Sequence, residues 1–180
     1  MGKMHTITGK HFDPMKIIPE NIDIVDIAHA LSLMPRGGGQ IRWFYSVAQH
    51  SINCAVEAKA MGYSSRVILA CLFHDGSEAY IADIIRPVKP YLTNYLDIEK
   101  SIMDAIWIKI GINSLSESEI ELVKEMDDKI LYNELFLLIP GNENRDHEKL
   151  KSIGDFKEKD MMDVKNTFIC MAKEYMEKIK

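Results

Sequence analysis

ACLFHDGSEAYIAD, residues 70–83, sets an imidazole beside a carboxylate inside an otherwise apolar segment. Buried polar groups must be hydrogen-bonded, and buried charges must be paired or bound to metal, so His74 and Asp75 require a partner. A divalent transition ion serves both, because neutral imidazole and ionised carboxylate together suit Mn, Fe, Co, Ni or Zn. A lone His-Asp pair arises often by chance, so the reading depends on whether other residues fall where a shared ion needs them.

Around this stretch the apolar spacing is helical. Val67, Ala70, Cys71, His74, Glu78 and Ile81 recur at three and four, which predicts one helix, opened by Ser64 or Ser65, with His74 and Glu78 one turn apart on one face. Upstream, Val47, Cys54, Ala55, Ala58 and Met61 form the stripe of a helix over 46–61, capped by Ser46 and closed by Gly62, and His50 lies on that stripe. A further helix over 23–34 buries Ile24, Ile27, Ala28, Leu31 and Met34 and leaves His29 at the surface. Between these two, Pro35-Arg36-Gly37-Gly38-Gly39-Gln40 forms a flexible loop without the Lys-Ser/Thr end of a P-loop.

Downstream, the two prolines of 83–90 forbid a regular helix and make a loop carrying Asp83, Arg86 and Lys89. Residues 94–110 resume a packing helix. Ser116 and Glu119 make a capping box for a helix to about Leu138, with Ile120, Val123, Asp127, Ile130 or Leu131, and Glu134 facing inward. Asp128 then faces outward, near Lys124. A polar loop over 140–148 precedes a last helix, 160–179, whose apolar face runs through Met161, Val164, Phe168, Met171, Ala172 and Tyr175. At the other end, HTITGKHF (5–12) predicts a short hairpin about Gly9-Lys10, with His5 and His11 at the surface.

Length and composition agree with one all-α domain over 1–180, its motif-bearing core at about 20–138. The chain has 180 residues, 47% hydrophobic and 27% charged, enough for one sizeable core. A net charge of −5 and the lack of any long basic run argue against a nucleic-acid duplex as partner. The start of the chain lacks a signal-peptide core, and no apolar run reaches the length of a membrane span, so a cytoplasmic protein is expected. Cys54, Cys71 and Cys170 lack C-x-x-C spacing and read as reduced core residues.

Three helices thus each turn a potential ligand inward: His50, His74 with Asp75, and Asp127. One ion in a helix bundle satisfies all four. Two nitrogens and two oxygens leave positions for water on a five- or six-coordinate ion, and a metal that lowers the pKa of water from about 15.7 towards ~7 supplies a nucleophile. Glu78 is placed to take or give the proton. Arg36 and Arg42 flank the glycine loop, and Arg86 and Lys89 follow Glu78, so a phosphate is the electrophile these cations suit.

The order His50, His74-Asp75, Asp127 resembles the HD-domain superfamily of metal-dependent phosphohydrolases. FYSVAQHS (44–51), HDGSEAYIADIIRPVK (74–89), VKEMD (123–127), GKHFDP and IDIVDIAHALS resemble its small bacterial and phage branch related to 5′-deoxynucleotidases. The similarity runs to about Glu134. It implies an all-α HD-domain bundle, one divalent transition-metal ion on His50, His74, Asp75 and Asp127, and hydrolysis of a nucleoside 5′-monophosphate to nucleoside and phosphate. By the same resemblance Glu78 orients or deprotonates the attacking water, Asp83 contacts the sugar side, and Arg42 holds phosphate, although Arg42-Trp43-Phe44-Tyr45 differs from the corresponding stretch of the deoxynucleotidases. Gly76 stands where that branch commonly has alanine, a change expected to be harmless. The branch is often dimeric, which would suit the apolar last helix. The same motif also serves enzymes that release pyrophosphate from a nucleoside triphosphate or an alarmone, and it is compatible with a non-catalytic nucleotide-binding module.

Overall fold

The computed structural model describes residues 2–144 and 146–180 and is an all-α fold with a short N-terminal β-hairpin. Strands β1 (Met4–His5) and β2 (His11–Phe12) pair antiparallel, Met4 opposite Phe12 and His5 opposite His11. So short a hairpin is not stable alone. It is tied to helix α1 (Ile24–Leu33) by Asp26, whose carboxylate accepts from the Thr8 N–H at 2.9 Å and the Thr8 hydroxyl at 2.8 Å. His5 and His11 are exposed, as expected, with ring centroids 4.0 Å apart. His29 is half-buried rather than at the surface.

The core lies around α2 (Val47–Met61) and α3 (Ser65–Phe73), which pack on each other. Ser46 and Gln49 cap α2 reciprocally, and Gly62 closes it at φ 83°, a left-handed conformation that costs glycine nothing. Every residue of α3 from Val67 to Phe73 is buried.

The helix expected to continue from Ser65 to Ile81 is interrupted. α3 stops at Phe73, residues 74–77 turn, and α4 (Glu78–Ile81) is a single turn. Gly76 makes the break: its N–H bonds the Phe73 carbonyl at 2.8 Å, and a Cβ there would stand 2.9 Å from that oxygen and 3.2 Å from Ile106 Cδ1. Glycine at 76 spares that carbonyl the contact.

Helix α5 (Tyr95–Lys109) ends at Gly111, and α6 (Glu117–Leu138) begins on the Ser116–Glu119 capping box. The buried face of α6 is rotated from the expected one. It runs through Val123, Met126, Ile130, Asn133 and Glu134, while Ile120 is exposed and Asp127 sits at the edge of the face. Asp128 pairs with Arg86 at 2.7 Å, in place of the expected Lys124.

The polar loop over 140–148 is present on either side of Arg145, which lies outside the described residues. An irregular segment then leads to α7 (Met161–Lys178), capped by Asp160. Val164, Phe168, Ala172 and Tyr175 of α7 are buried within the chain, against α1 and α3, with Phe168 edge-on to Phe73 at 5.1 Å. Of the six residues expected on that face, these four are covered within the chain, Met171 is half-buried and Met161 is exposed. Cys54 and Cys71 are core residues, but Cys170 is exposed. Among the described residues no helix is long and apolar enough to cross a membrane.

Candidate metal centre

α2, the end of α3 and α6 bring His50, His74, Asp75 and Asp127 to one point. His50 Nε2 lies 3.2 Å from His74 Nε2, 3.2 Å from Asp127 Oδ1 and 3.8 Å from Asp75 Oδ2. His74 Nε2 lies 3.3 Å from Asp75 Oδ2 and 3.8 Å from Asp127 Oδ1. Donor atoms bound at about 2.0–2.2 Å to one ion stand roughly 3.0–3.6 Å from each other in octahedral or tetrahedral geometry. Three of the five separations, 3.2, 3.2 and 3.3 Å, fall at that spacing, and the two of 3.8 Å lie just beyond it.

The remaining imidazole nitrogens settle which atoms face the centre. His74 Nδ1 donates to the Cys71 carbonyl at 2.8 Å, and His50 Nδ1 donates to Glu134 Oε1 at 2.7 Å. With each Nδ1 bonded outward, each Nε2 points at the centre, the orientation that carboxylate and carbonyl partners impose on metal-binding histidines; burial opposes a charge on either ring, but Asp75 and Asp127 raise His74 well above the ordinary imidazole value, and Glu134 and Asp127 raise His50. Two carboxylates face the same point. Burial opposes their charge, yet His74 and Arg36 hold Asp75, and His50 and His74 hold Asp127, well below the usual carboxylate range. Two imidazole nitrogens and two carboxylates turned on one point are a donor set that fits a cation.

Cys54, one turn beyond His50 on α2, completes a buried His50-Cys54-His74 group that can also hold a metal ion, its Sγ 3.5 Å from His50 Nε2. Burial and then the charge of Asp127 push this thiol well above its ordinary value. Its spacing of four from His50 was the available sequence signal.

Over 112 residues, 62% of its length, the chain is 38% identical to YfdR, an uncharacterized protein of Escherichia coli. It is also 31% identical over 129 residues, 69% of its length, to an uncharacterized protein of Rhodobacter capsulatus. These alignments span 60% and 66% of the two relatives, so the chain covers less than two thirds of either. No family model matches the chain. The chemistry of the site stands on its geometry.

Next to the centre is a cavity of about 440 Å³, of a size that holds a small ligand, lined by Arg36, Asp75, Glu78, Asp83, Arg86, Lys89, Asp127 and Glu134. An aliphatic wall that includes Ile41, Ile84, Leu131 and Leu135 completes it. Glu78 is buried, and among the described residues its Oε2 has no hydrogen-bond partner. Burial, with the neighbouring charges of Asp75 and Asp83, pushes its carboxyl up to about 9, although Lys89 Nζ stands 3.6 Å from Oε1. Asp83 follows Ala82, which takes φ 69°, ψ 158°, a region almost reserved for glycine.

Three of the four cations anticipated from the sequence line this cavity. Arg36 reaches deepest: Nη1 lies 3.3 Å from Asp75 Oδ2, Nη2 donates to His50 Nε2 at 3.2 Å, and Nε stands 3.5 Å from Glu134 Oε2. Arg86 bonds Asp127 at 2.9 Å, and Lys89 bonds Glu99 at 2.9 Å. Arg42 is not brought there. It pairs with Glu143 and lies outside the cavity lining. Glu134 was expected only as a buried position; its sequence signal was a polar residue two turns beyond Asp127 on the inward face.

Proposed function

We propose that this chain is a metal-dependent phosphohydrolase that cleaves the phosphomonoester of a nucleoside 5′-monophosphate, with His50, His74, Asp75 and Asp127 holding one divalent transition ion. The observation that carries the reading is the set of mutual separations of 3.2–3.8 Å among these four donors, beside a cavity rimmed by cations. A divalent ion in this set would supply charge neutralisation of the phosphoryl group and acidification of water. Arg36, Arg86 and Lys89 supply the remaining positive charge, for which guanidinium groups fit phosphate oxygens bidentately.

Water adds to phosphorus as the bond from phosphorus to the sugar oxygen breaks, and the proton lost by water is matched by one gained by the departing oxygen. Glu78 is the group suited to give the departing oxygen its proton, since its buried carboxyl is protonated at neutral pH, and the proton water loses restores it. Asp83 stands at the same cavity, where it can accept from a sugar hydroxyl.

The test is to incubate the purified chain with a panel of ribo- and deoxynucleoside monophosphates and triphosphates in Mn, Co, Ni, Zn or Mg, reading phosphate and pyrophosphate separately. Orthophosphate and nucleoside from a monophosphate, lost in Asp127→Ala, support the proposal. Pyrophosphate as product overturns the choice of substrate, and inactivity with every nucleotide and ion overturns the enzymatic reading.

A further inference from the structure

Three buried polar residues of α2, Gln49, Asn53 and Glu57, spaced by four, grip the main chain of the irregular segment that precedes α7. Gln49 Nε2 donates to the Lys157 carbonyl at 2.9 Å, and Asn53 bonds both the carbonyl and the N–H of Asp155. Glu57 accepts from the N–H groups of Lys151 and Ser152 at 2.9 and 2.8 Å. With Asn133 Nδ2 donating to the Glu148 carbonyl at 3.0 Å, residues 148–157 lie along the helix as a strap. His50 and Cys54, also four apart and therefore on one face, meet the metal centre instead.

Distance decides what Cys54 does there. Its side chain is buried, with Sγ 3.5 Å from His50 Nε2 and 3.9 Å from the Met126 carbonyl. The second contact gains little, because S–H is a weak donor. The first is the spacing of two ligands on one ion: a sulfur at about 2.3 Å and an imidazole nitrogen at about 2.0–2.1 Å stand roughly 3.1–3.6 Å apart between octahedral and tetrahedral geometry. One donor atom from each of His50, Cys54 and His74 lies within 4.8 Å of the other two. Cys71, equally buried on α3, stands outside that group and offers His74 Nδ1 only its carbonyl; small apolar filler is the ordinary use of a buried cysteine. A thiolate at Cys54 would also have its charge met. Arg36 lies 3.3 Å from Asp75 and 3.5 Å from Glu134, and Arg86 lies 2.9 Å from Asp127. These two guanidinium groups and one divalent ion balance the three carboxylates and the thiolate.

We propose that Cys54 is a further ligand to the ion held by His50, His74, Asp75 and Asp127, so that the centre takes Zn²⁺ or Co²⁺ in preference to Mn²⁺ or Mg²⁺. This rests on the metal centre of the preceding section and deepens it by naming the class of ion. Thiolate is a soft ligand that selects Zn²⁺ and its like, whereas sites of carboxylate, carbonyl and water suit Mg²⁺ and Mn²⁺. On binding, the ion takes the place of the thiol proton, which is released to solvent.

Co²⁺ alone is the probe, with its binding to the full chain measured by equilibrium dialysis. The loaded chain should show sulfur-to-cobalt charge-transfer absorption in the near ultraviolet. Cys54→Ser, nearly isosteric, should remove that absorption and weaken Zn²⁺ binding by at least the ~10–100-fold that loss of a ligand's supporting partner costs, with Mn²⁺ affinity close to wild type. Cys71→Ala and Cys170→Ala should keep the absorption. Should Cys54→Ser not fold, the wild-type spectrum still decides, because the other two variants exclude the other two thiols. Bound Co²⁺ without the absorption overturns the proposal and leaves the centre standing, as does absorption that survives in Cys54→Ser or is lost in Cys71→Ala. A wild-type chain that binds none of Co²⁺, Zn²⁺ and Mn²⁺ overturns the centre itself, which separates the two failures.

Discussion

The Nε2 atoms of His50 and His74 stand 3.2 Å apart, with the Nδ1 of each ring already bonded elsewhere. Each Nε2 also faces a carboxylate oxygen, Asp127 at 3.2 Å from His50 and Asp75 at 3.3 Å from His74, so a cation among them would gain four ligands at once. Addition of Mn²⁺ at about 100 times its dissociation constant should therefore stabilise the chain by about 2.7 kcal/mol, roughly 5–10 °C in melting temperature at this size. Differential scanning calorimetry with and without chelator checks this, and His74→Ala should abolish the shift.

Glu78 should separate chemistry from stability. Its Oε2 is buried without a partner among the described residues, so Glu78→Gln removes a proton carrier without breaking a recorded bond of that oxygen. Hydrolysis should fall about 100-fold or more, while the melting temperature does not drop. Loss of folding with unchanged turnover per folded molecule would reverse the assignment.

Arg36 and Arg42 make a matched pair of controls. Arg36→Ala should cost about 10²–10³ in turnover, the usual loss when a charge-stabilising donor is removed. Arg42→Ala should leave turnover near wild type, because Arg42 is occupied by Glu143 outside the cavity. Steady-state kinetics of the two variants with one nucleotide decides.

Acid stability reports on the strap. The N–H groups of Lys151 and Ser152 and the ammonium of Lys129, 3.0 Å away, overcome the cost of burial and hold the Glu57 carboxyl down at about 2, from an ordinary 4.5. A carboxyl lowered in the folded state stabilises fully above its unfolded pKa, and that contribution is lost as pH falls through the folded value. Denaturant unfolding should show a loss between pH 4.5 and 2 that is absent from Glu57→Gln. Glu57→Gln should also be less stable at neutral pH, although Lys129 keeps a second carboxylate, Glu148, at 3.2 Å.

Ala82 holds a backbone conformation that costs about 1–3 kcal/mol. Ala82→Gly should relieve it against a penalty of about 0.5–1 kcal/mol for the freer chain, giving a higher denaturation midpoint. Hydrolysis should fall at the same time, because Asp83 follows directly and loses its fixed approach to the cavity. A variant both less stable and fully active would contradict this.

Most of the helices were legible in apolar spacing and in short-range caps. Ser46 with Gln49, Ser116 with Glu119, Gly62 and Asp160 lie where the ends of α2, α6 and α7 need them. The candidate ligands were legible because each lay at or beside an inward face. The break at 74–77 was not, since the spacing of Cys71, His74, Glu78 and Ile81 runs straight through it. Nor were Cys54 and Glu134 read as part of the centre, because an inward cysteine or glutamate gains a role only from what packs opposite. Arg42 was misplaced by proximity in sequence: the loop after Gly39 turns it towards Glu143.

Because Gln49, Asn53, Glu57 and Trp43 hold carbonyls and amides rather than side chains, the letters of residues 148–157 other than Glu148, Leu150, Gly154 and Phe156 are free to drift so long as the count between Asn133 and Asp160 keeps each peptide unit in its place. Two homologues could look unrelated across this stretch and still close over α2 in the same way. Insertions or deletions there, rather than substitutions, would be the changes that natural selection removes.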